Sequence, residues 1–243
     1  MYSRRSFVGT AAAFTSAAAA NALFSPDPAR AQDACAVFTP DRQKAVTPKE
    51  ALQRLIDGNE RFIAGKTVNC NLLAQVKDTS NAQAPFAVVV GCIDSRVPPE
   101  LVFDQRIGDI FAARIAGNFV NVDILGSLEF ACKVAGAKAI VVLGHTECGA
   151  IKGAIDQAKL GNLTAMLKNF DPAIAMTKIT GERSSKDKAL VQTVADNHSR
   201  ITAKQILDAS PVLKEMFDKG EITIAAAMHD LGSGKVSILP NLT

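Results

Sequence analysis

Tryptophan is absent and tyrosine occurs once in 243 residues. Exposed rings on which bases stack are a usual grip on single-stranded nucleic acid, and this chain has few to offer. It also lacks an excess of either charge: 27 Lys+Arg face 24 Asp+Glu, a formal net charge of +3. There is no basic stripe to track a phosphate backbone and no strong steering field. Nucleic-acid and polyanion partners are therefore not expected. Beyond the first 31 residues no apolar run is long enough to span a bilayer. No internal repeat and no low-complexity linker is found. What remains is a chain that is 48% apolar, enough for a sizeable core, and long enough for one large domain or two small ones.

The N-terminus reads as an address. "SRRSFVG" (residues 3–9) is a twin-arginine pattern, followed by a weakly apolar, Ala-rich run to Phe24, then Pro26, Pro28 and a small-x-small "ARA" at 29–31. Residues 1–31 are expected to be an export signal and residues 32–243 a single mature domain beginning at Gln32. The alternative is an uncleaved membrane anchor, which the Ala, Ser and Thr content of the run disfavours. Loss of Arg4, Arg5, Arg30 and Asp27 brings the formal charge from +3 to about +1. The expected location is periplasmic, with no stable membrane insertion after cleavage. Export by this route carries folded protein, so thiols already occupied in the reducing cytoplasm would be protected outside.

The pattern of elements predicts α/β architecture. Thr47, Pro48 and Glu50 form a capping box that opens a helix with Leu52, Leu55, Ile56, Phe62 and Ile63 on one stripe and Gly65 at its end; Asn59 is the one polar residue on that stripe. Residues 69–85 read as polar and irregular. "FAVVVG" (86–91), "DIFAARI" (109–115), "KAIVVLG" (138–144) and "EITIAAAM" (221–228) read as strands, and "LGSGK" (231–235) as a hairpin turn into "VSIL" (236–239). Helical stretches are expected at 122–136, from Cys148 to about Leu160, at 162–178 and at 187–219. Strands alternating with helices predict a mostly parallel central sheet flanked by helices, with an N-terminal helical arm.

"GHTECGA" (144–150) directly follows a strand and ends it in His-x-x-Cys. "CIDSR" (92–96) directly follows another. In a parallel sheet both lie on the carboxyl edge, where ligands bind. Cys92, His145 and Cys148 can therefore converge into a zinc-type donor set, and three protein ligands leave a fourth position open, as catalytic zinc requires. The spacing alone leaves two alternatives: a Cys92–Cys148 disulfide, or two buried cysteines beside an unrelated histidine. Asp94, two residues on, can face the same way and orient a water, and Arg96 can hold Asp94 bidentately and ionised. An ordinary Asp–Arg ion pair is the plain alternative.

"GCIDSRVPPELVF", "GDIFAARIAGN", "SLEFA" and "GHTECGA" together resemble a β-class carbonic anhydrase, over about Thr47 to Leu239. The resemblance implies one Zn2+ per chain on Cys92, His145 and Cys148, with Asp94 and Arg96 working beside it. It implies reversible hydration of carbon dioxide to bicarbonate and a proton. It also implies substrate contacts from Gln83, Phe111, Phe130 and the Gly149 N–H, with Val97 adding to the apolar pocket. Phe130 stands where plant-type members often carry Tyr, and Ile115 where Asn is common. Val89 stands where an inhibitory bicarbonate site needs Trp, although Arg114 remains, so an open site with Asp94 on Arg96 is expected. The family's minimal unit implies a homodimer or a dimer of dimers, with the N-terminal helix embracing the partner and the pocket at the interface. Carbonyl sulfide or carbon disulfide hydrolysis on the same scaffold, and zinc binding without turnover, are the alternatives. Outside the motifs, Cys35 and Cys70 are candidates for a disulfide, Cys132 reads as core, and His198 and His229 as surface or satisfied residues. A proton relay is the other role open to His229, at a strand end before Asp230.

Overall fold

The computed structural model describes residues 35–240. The expected export signal and its cleavage point lie outside the described residues. Five strands, β1 (Ala87–Gly91), β2 (Ile110–Arg114), β3 (Ala139–His145), β4 (Thr223–His229) and β5 (Val236–Ile238), form one sheet in the order β2-β1-β3-β4-β5. The first four run parallel, and β5 returns antiparallel on β4 through the expected hairpin. Helices α1 (Pro40–Ala45), α2 (Pro48–Ile63) and α3 (Leu72–Asp78) precede the sheet. α4 (Pro99–Val102) links β1 to β2, and α5 (Val122–Glu129) links β2 to β3. α6 (Gly149–Ile155), α7 (Gly161–Met166), α8 (Asp171–Met176), α9 (Lys188–Ala209) and α10 (Pro211–Asp218) lie between β3 and β4.

Every residue of β1 and β3 is buried, which explains why their sequences are unbroken apolar runs: both faces of the sheet are covered. On one face Ala51 and Leu55 of α2 pack with Phe86, Val89, Val141 and Leu143. On the other, Ala203 and Ile206 of α9 and Leu213 of α10 pack with Val88, Val90, Ile140 and Val142. A third cluster, of Val97, Phe119, Ile151, Phe170, Val191 and Val194, closes around Cys92 and Cys148.

The capping box of α2 forms as predicted: the Thr47 hydroxyl accepts from the Glu50 N–H at 3.2 Å and the Glu50 carboxylate accepts from the Thr47 N–H at 2.8 Å. Gly65 ends the helix at φ +63. Asn59 donates to the carbonyls of Val102 (3.0 Å) and Gly234 (2.9 Å) and accepts from the Val236 N–H (2.8 Å). The polar residue on the apolar stripe thus ties α2 to the β4–β5 hairpin.

Three stretches depart from expectation. Residues 72–78 are helical rather than irregular, because the Asn71 side chain caps the Ala74 N–H at 3.1 Å. The helix expected over 122–136 is α-helical only to Glu129 and then widens into a π-turn, Phe130–Val134. The helix from Cys148 ends at Ile155. Cys35 and Cys70 are joined in a disulfide, Cα atoms 5.5 Å apart. Cys132 is core, and burial pushes its thiol up to about 12.

Candidate metal centre

The chain leaves β1 toward β2 on one side, and β3 lies on the other. The crevice between β1 and β3 is therefore the point where strand order reverses, the place where open α/β sheets bind ligands. Gly91 pairs with Leu143, so Cys92 and His145 leave neighbouring strands within two residues of each other. The turn after β3 then brings back Cys148 at the start of α6. Their ligand atoms lie within 4.8 Å of one another.

Each side chain is prepared for a cation. His145 is 1% exposed, and its Nδ1 is 2.9 Å from the Thr146 carbonyl. A carbonyl oxygen only accepts, so the proton sits on Nδ1 and Nε2 presents a lone pair. That Nε2 is buried without a hydrogen-bond partner. Both sulfurs are free thiols, which removes the Cys92–Cys148 disulfide alternative. Cys92 is drawn well down, first by the Cys148 thiol bonded to it, then by His145 and the N–H groups of Gly117 and Asp94; Cys148, donor in that bond and deeply buried, is pushed up. The three ligand atoms are close enough for one divalent cation, and two sulfurs with one imidazole are a zinc donor set. The residues present fit the metal.

Asp94 sits on Arg96. Its Oδ1 accepts from the Arg96 Nε at 2.9 Å and from the backbone N–H at 3.0 Å, and its Oδ2 from Nη2 at 2.7 Å. The guanidinium holds the carboxyl well below the usual carboxylate range. Oδ2 is also 3.9 Å from His145 Nε2, so the carboxylate faces the donor cluster. Arg114 clasps the backbone beneath, donating to the carbonyls of Cys92 (2.9 Å) and Asp94 (2.6 Å). Glu147 enters the left-handed region at φ +57 just before Cys148, and its carboxylate pairs with Lys152. The Gly149 backbone opens α6 beside Cys148, and Val97 is buried below.

The other expected pocket residues are elsewhere in this chain. Phe111 is in the edge strand β2, opposite Val88. Its ring meets Phe130 edge-on at 6.2 Å in a groove lined by Val88, Ile124 and Ser127, without Cys92, His145 or Cys148. Gln83 is exposed before β1, at the opposite end of that strand from Cys92. His229 is 3% exposed, which gives a proton relay no direct route to buffer. Sequence reasoning missed the Arg114 clasp, the Thr146 carbonyl on His145 and the Gly117 N–H on Cys92. These act through backbone atoms, which side-chain motifs do not advertise. Of the two roles expected of His198, surface or satisfied, it takes the second: it is 1% exposed and its Nε2 bonds the Gly117 carbonyl. Its place on the stripe Val191, Val194, Ala195, His198, Ser199, Thr202, Ile206 was the available signal.

The fold and donor set define an α/β protein with a three-ligand metal centre of the kind catalytic zinc uses. A family model described as carbonic anhydrase matches residues 87–236. Carbonic anhydrase 2 of Mycobacterium tuberculosis is 32% identical over 190 residues, 77% of this chain and 91% of that protein. A carbonic anhydrase of Mycolicibacterium smegmatis is 31% identical over 197 residues, 80% of this chain and 95% of that protein. The chain belongs to the carbonic anhydrase family, β-class. In fold it is similar to the Coccomyxa β-carbonic anhydrase solved with acetazolamide (TM-score 0.62, 21% identity, 77% of this chain and 86% of that one). It is also similar to the tetrameric β-carbonic anhydrases of Sordaria macrospora (TM-score 0.59, 22% identity, 69% and 90%).

Proposed function

We propose that Cys92, His145 and Cys148 hold one zinc per chain and that Asp94 and Arg96 work beside it in the family's reaction, the reversible hydration of carbon dioxide to bicarbonate and a proton. The observation that carries this is the lone pair of His145 Nε2, buried and unpartnered between two free thiols, with an ionised Asp94 facing it. Zinc in this donor set would supply a Lewis acid that lowers the pKa of water to about 7. Asp94 Oδ2 accepts a hydrogen bond from the attacking water and turns a lone pair toward the substrate carbon. Arg96 keeps Asp94 charged and away from the cation. The Gly149 N–H donates to oxygen as negative charge grows there, a role supported by its position at the start of α6 beside Cys148. Stopped-flow hydration assays with metal analysis test this: the wild-type chain should carry one zinc and turn over. Cys148→Ser should lose both together, and full zinc with normal turnover in that variant would remove the assignment.

The chain further assembles with itself, as a homodimer or a dimer of dimers. The open edge strand β2 and Phe130, 50% exposed, support this. So does the placement of Phe111, Phe130 and Gln83 away from their own cluster, where they can complete the pocket of a second copy. The protein is exported to the periplasm by the twin-arginine route. The arginine pair at 4–5 supports this, as does the Cys35–Cys70 disulfide, which suits an oxidising compartment. Among the described residues no helix is long and apolar enough to cross a membrane.

A further inference from the structure

We propose that His198 is a positioning residue for the Cys92 thiolate, acting through Gly117. The inference rests on Cys92 being a metal ligand. His198 Nε2 lies 2.8 Å from the Gly117 carbonyl, so Nε2 carries the proton. Nδ1 is buried with no partner, as a neutral ring requires, since a second N–H would be stranded in the core. The Gly117 N–H is directed to Cys92 Sγ at 3.2 Å. Residue 117 is thus bonded on one side to α9 and on the other to the sulfur.

Two further contacts show that the arrangement is built for this one backbone position. Gly117 is left-handed, φ +80, and a Cβ there would meet Phe170 Cζ at 2.3 Å. The Phe170 ring also packs on His198, centroids 4.6 Å apart. The ring excludes any side chain at 117 while the imidazole fixes its carbonyl. The next turn of contact is made by Ser199. Its hydroxyl takes the Asn118 side-chain N–H at 3.4 Å and fills the space a Cβ on Gly144 would need, at 2.3 Å. One turn of α9 therefore braces both the loop that donates to Cys92 and the strand end that delivers His145.

An N–H···S bond draws charge from a thiolate and fixes the direction of its lone pairs. Two thiolates cancel much of a dication's charge, so each such bond leaves the metal a stronger Lewis acid and holds the sulfur in place. Without Gly117, the only backbone N–H left on Cys92 would be the more distant one of Asp94, at 3.4 Å.

Cadmium-113-substituted wild-type protein, observed by NMR, tests the contact without mutation: scalar coupling between the metal and the Gly117 amide proton is expected. His198→Gln, which can still donate, should keep this coupling and hold zinc within about threefold of wild type. His198→Phe should lose the coupling and weaken zinc roughly 10–100-fold in chelator competition. In the cobalt form it should also shift the sulfur-to-metal charge-transfer band. A packing role alone would lower the thermal stability of both variants and move neither the coupling nor the band. Cadmium on Cys92 with no Gly117 coupling in the wild type would overturn the inference, as would wild-type zinc affinity and band in His198→Phe. Failure of cadmium to bind Cys92 at all would instead overturn the ligand assignment, and this inference with it.

Discussion

At the scale of single residues, the site is a set of protons fixed in place. The Thr146 carbonyl puts one on His145 Nδ1, and Arg96 keeps one off Asp94. Asp94→Asn should bind zinc as the wild type does and lose about 10²–10⁴ in kcat, because an amide cannot accept in the same way; zinc content and stopped-flow rates read the two effects separately. His198 gives a pH prediction. Burial pushes its ring down to about 4, against about 6.5 when unfolded. Between those values the unfolded chain binds a proton there and the folded chain does not. Stability is therefore full above pH 6.5 and falls as pH drops toward 4, by on the order of 3 kcal/mol. Urea unfolding of metal-free protein from pH 4 to 7 should show this slope, and His198→Gln should be flatter by that amount. Parallel curves would place the ring's proton elsewhere. Cys92, Asp94, Arg96, His145 and Cys148 were legible because motif residues follow strands at one edge. The backbone partners were not, since an N–H or a carbonyl carries no residue identity.

At the scale of elements, α2 and the strands were legible to within a residue or two because cap, stripe and stop agree: Thr47, Leu55 and Gly65 each point to the same helix. α3 was not, because two turns are too short to set a period, although Leu72, Leu73 and Val76 share one exposed face. Only the Asn71 cap marks its start. The π-turn at Phe130–Val134 was equally invisible, since no residue type marks it and only backbone spacing changes. Asn59 predicts a large effect from a small change. Asn59→Leu strands the Val102 and Gly234 carbonyls and the Val236 N–H, and should cost about 2–4 kcal/mol of unfolding free energy in denaturant titration. The Cys35–Cys70 disulfide closes a loop with a sequence separation of 35. Its loss should cost about 3 kcal/mol, or roughly 6–12 °C in Tm. Scans with and without reductant, on the wild type and on the Cys35→Ser/Cys70→Ser pair, should agree; an unmoved wild-type Tm would count against the staple.

At the scale of the whole molecule, the strand order 2-1-3-4-5 places the cluster at the β1/β3 crevice and leaves β2 open at the edge. The order itself could not be read from the sequence, which shows strands but not which neighbours they choose. A self-associated form should bury on the order of 800 Å² per copy. On the proposed assembly, in which the Phe130 groove completes a neighbour's pocket, Phe130→Glu should shift sedimentation toward monomer and lower kcat/KM together. A fully active wild-type monomer at micromolar concentration would contradict that arrangement.

The most direct measurement is a crystal structure of the zinc-loaded protein near pH 7.5, with the metal located by anomalous scattering. The account predicts zinc about 2.3 Å from the sulfurs of Cys92 and Cys148 and about 2.0–2.1 Å from His145 Nε2, with a non-protein fourth ligand. Asp94 should remain on Arg96. An Asp94 oxygen on zinc at about 2.0 Å would contradict the open site, and zinc bound away from this triad would contradict the central claim itself.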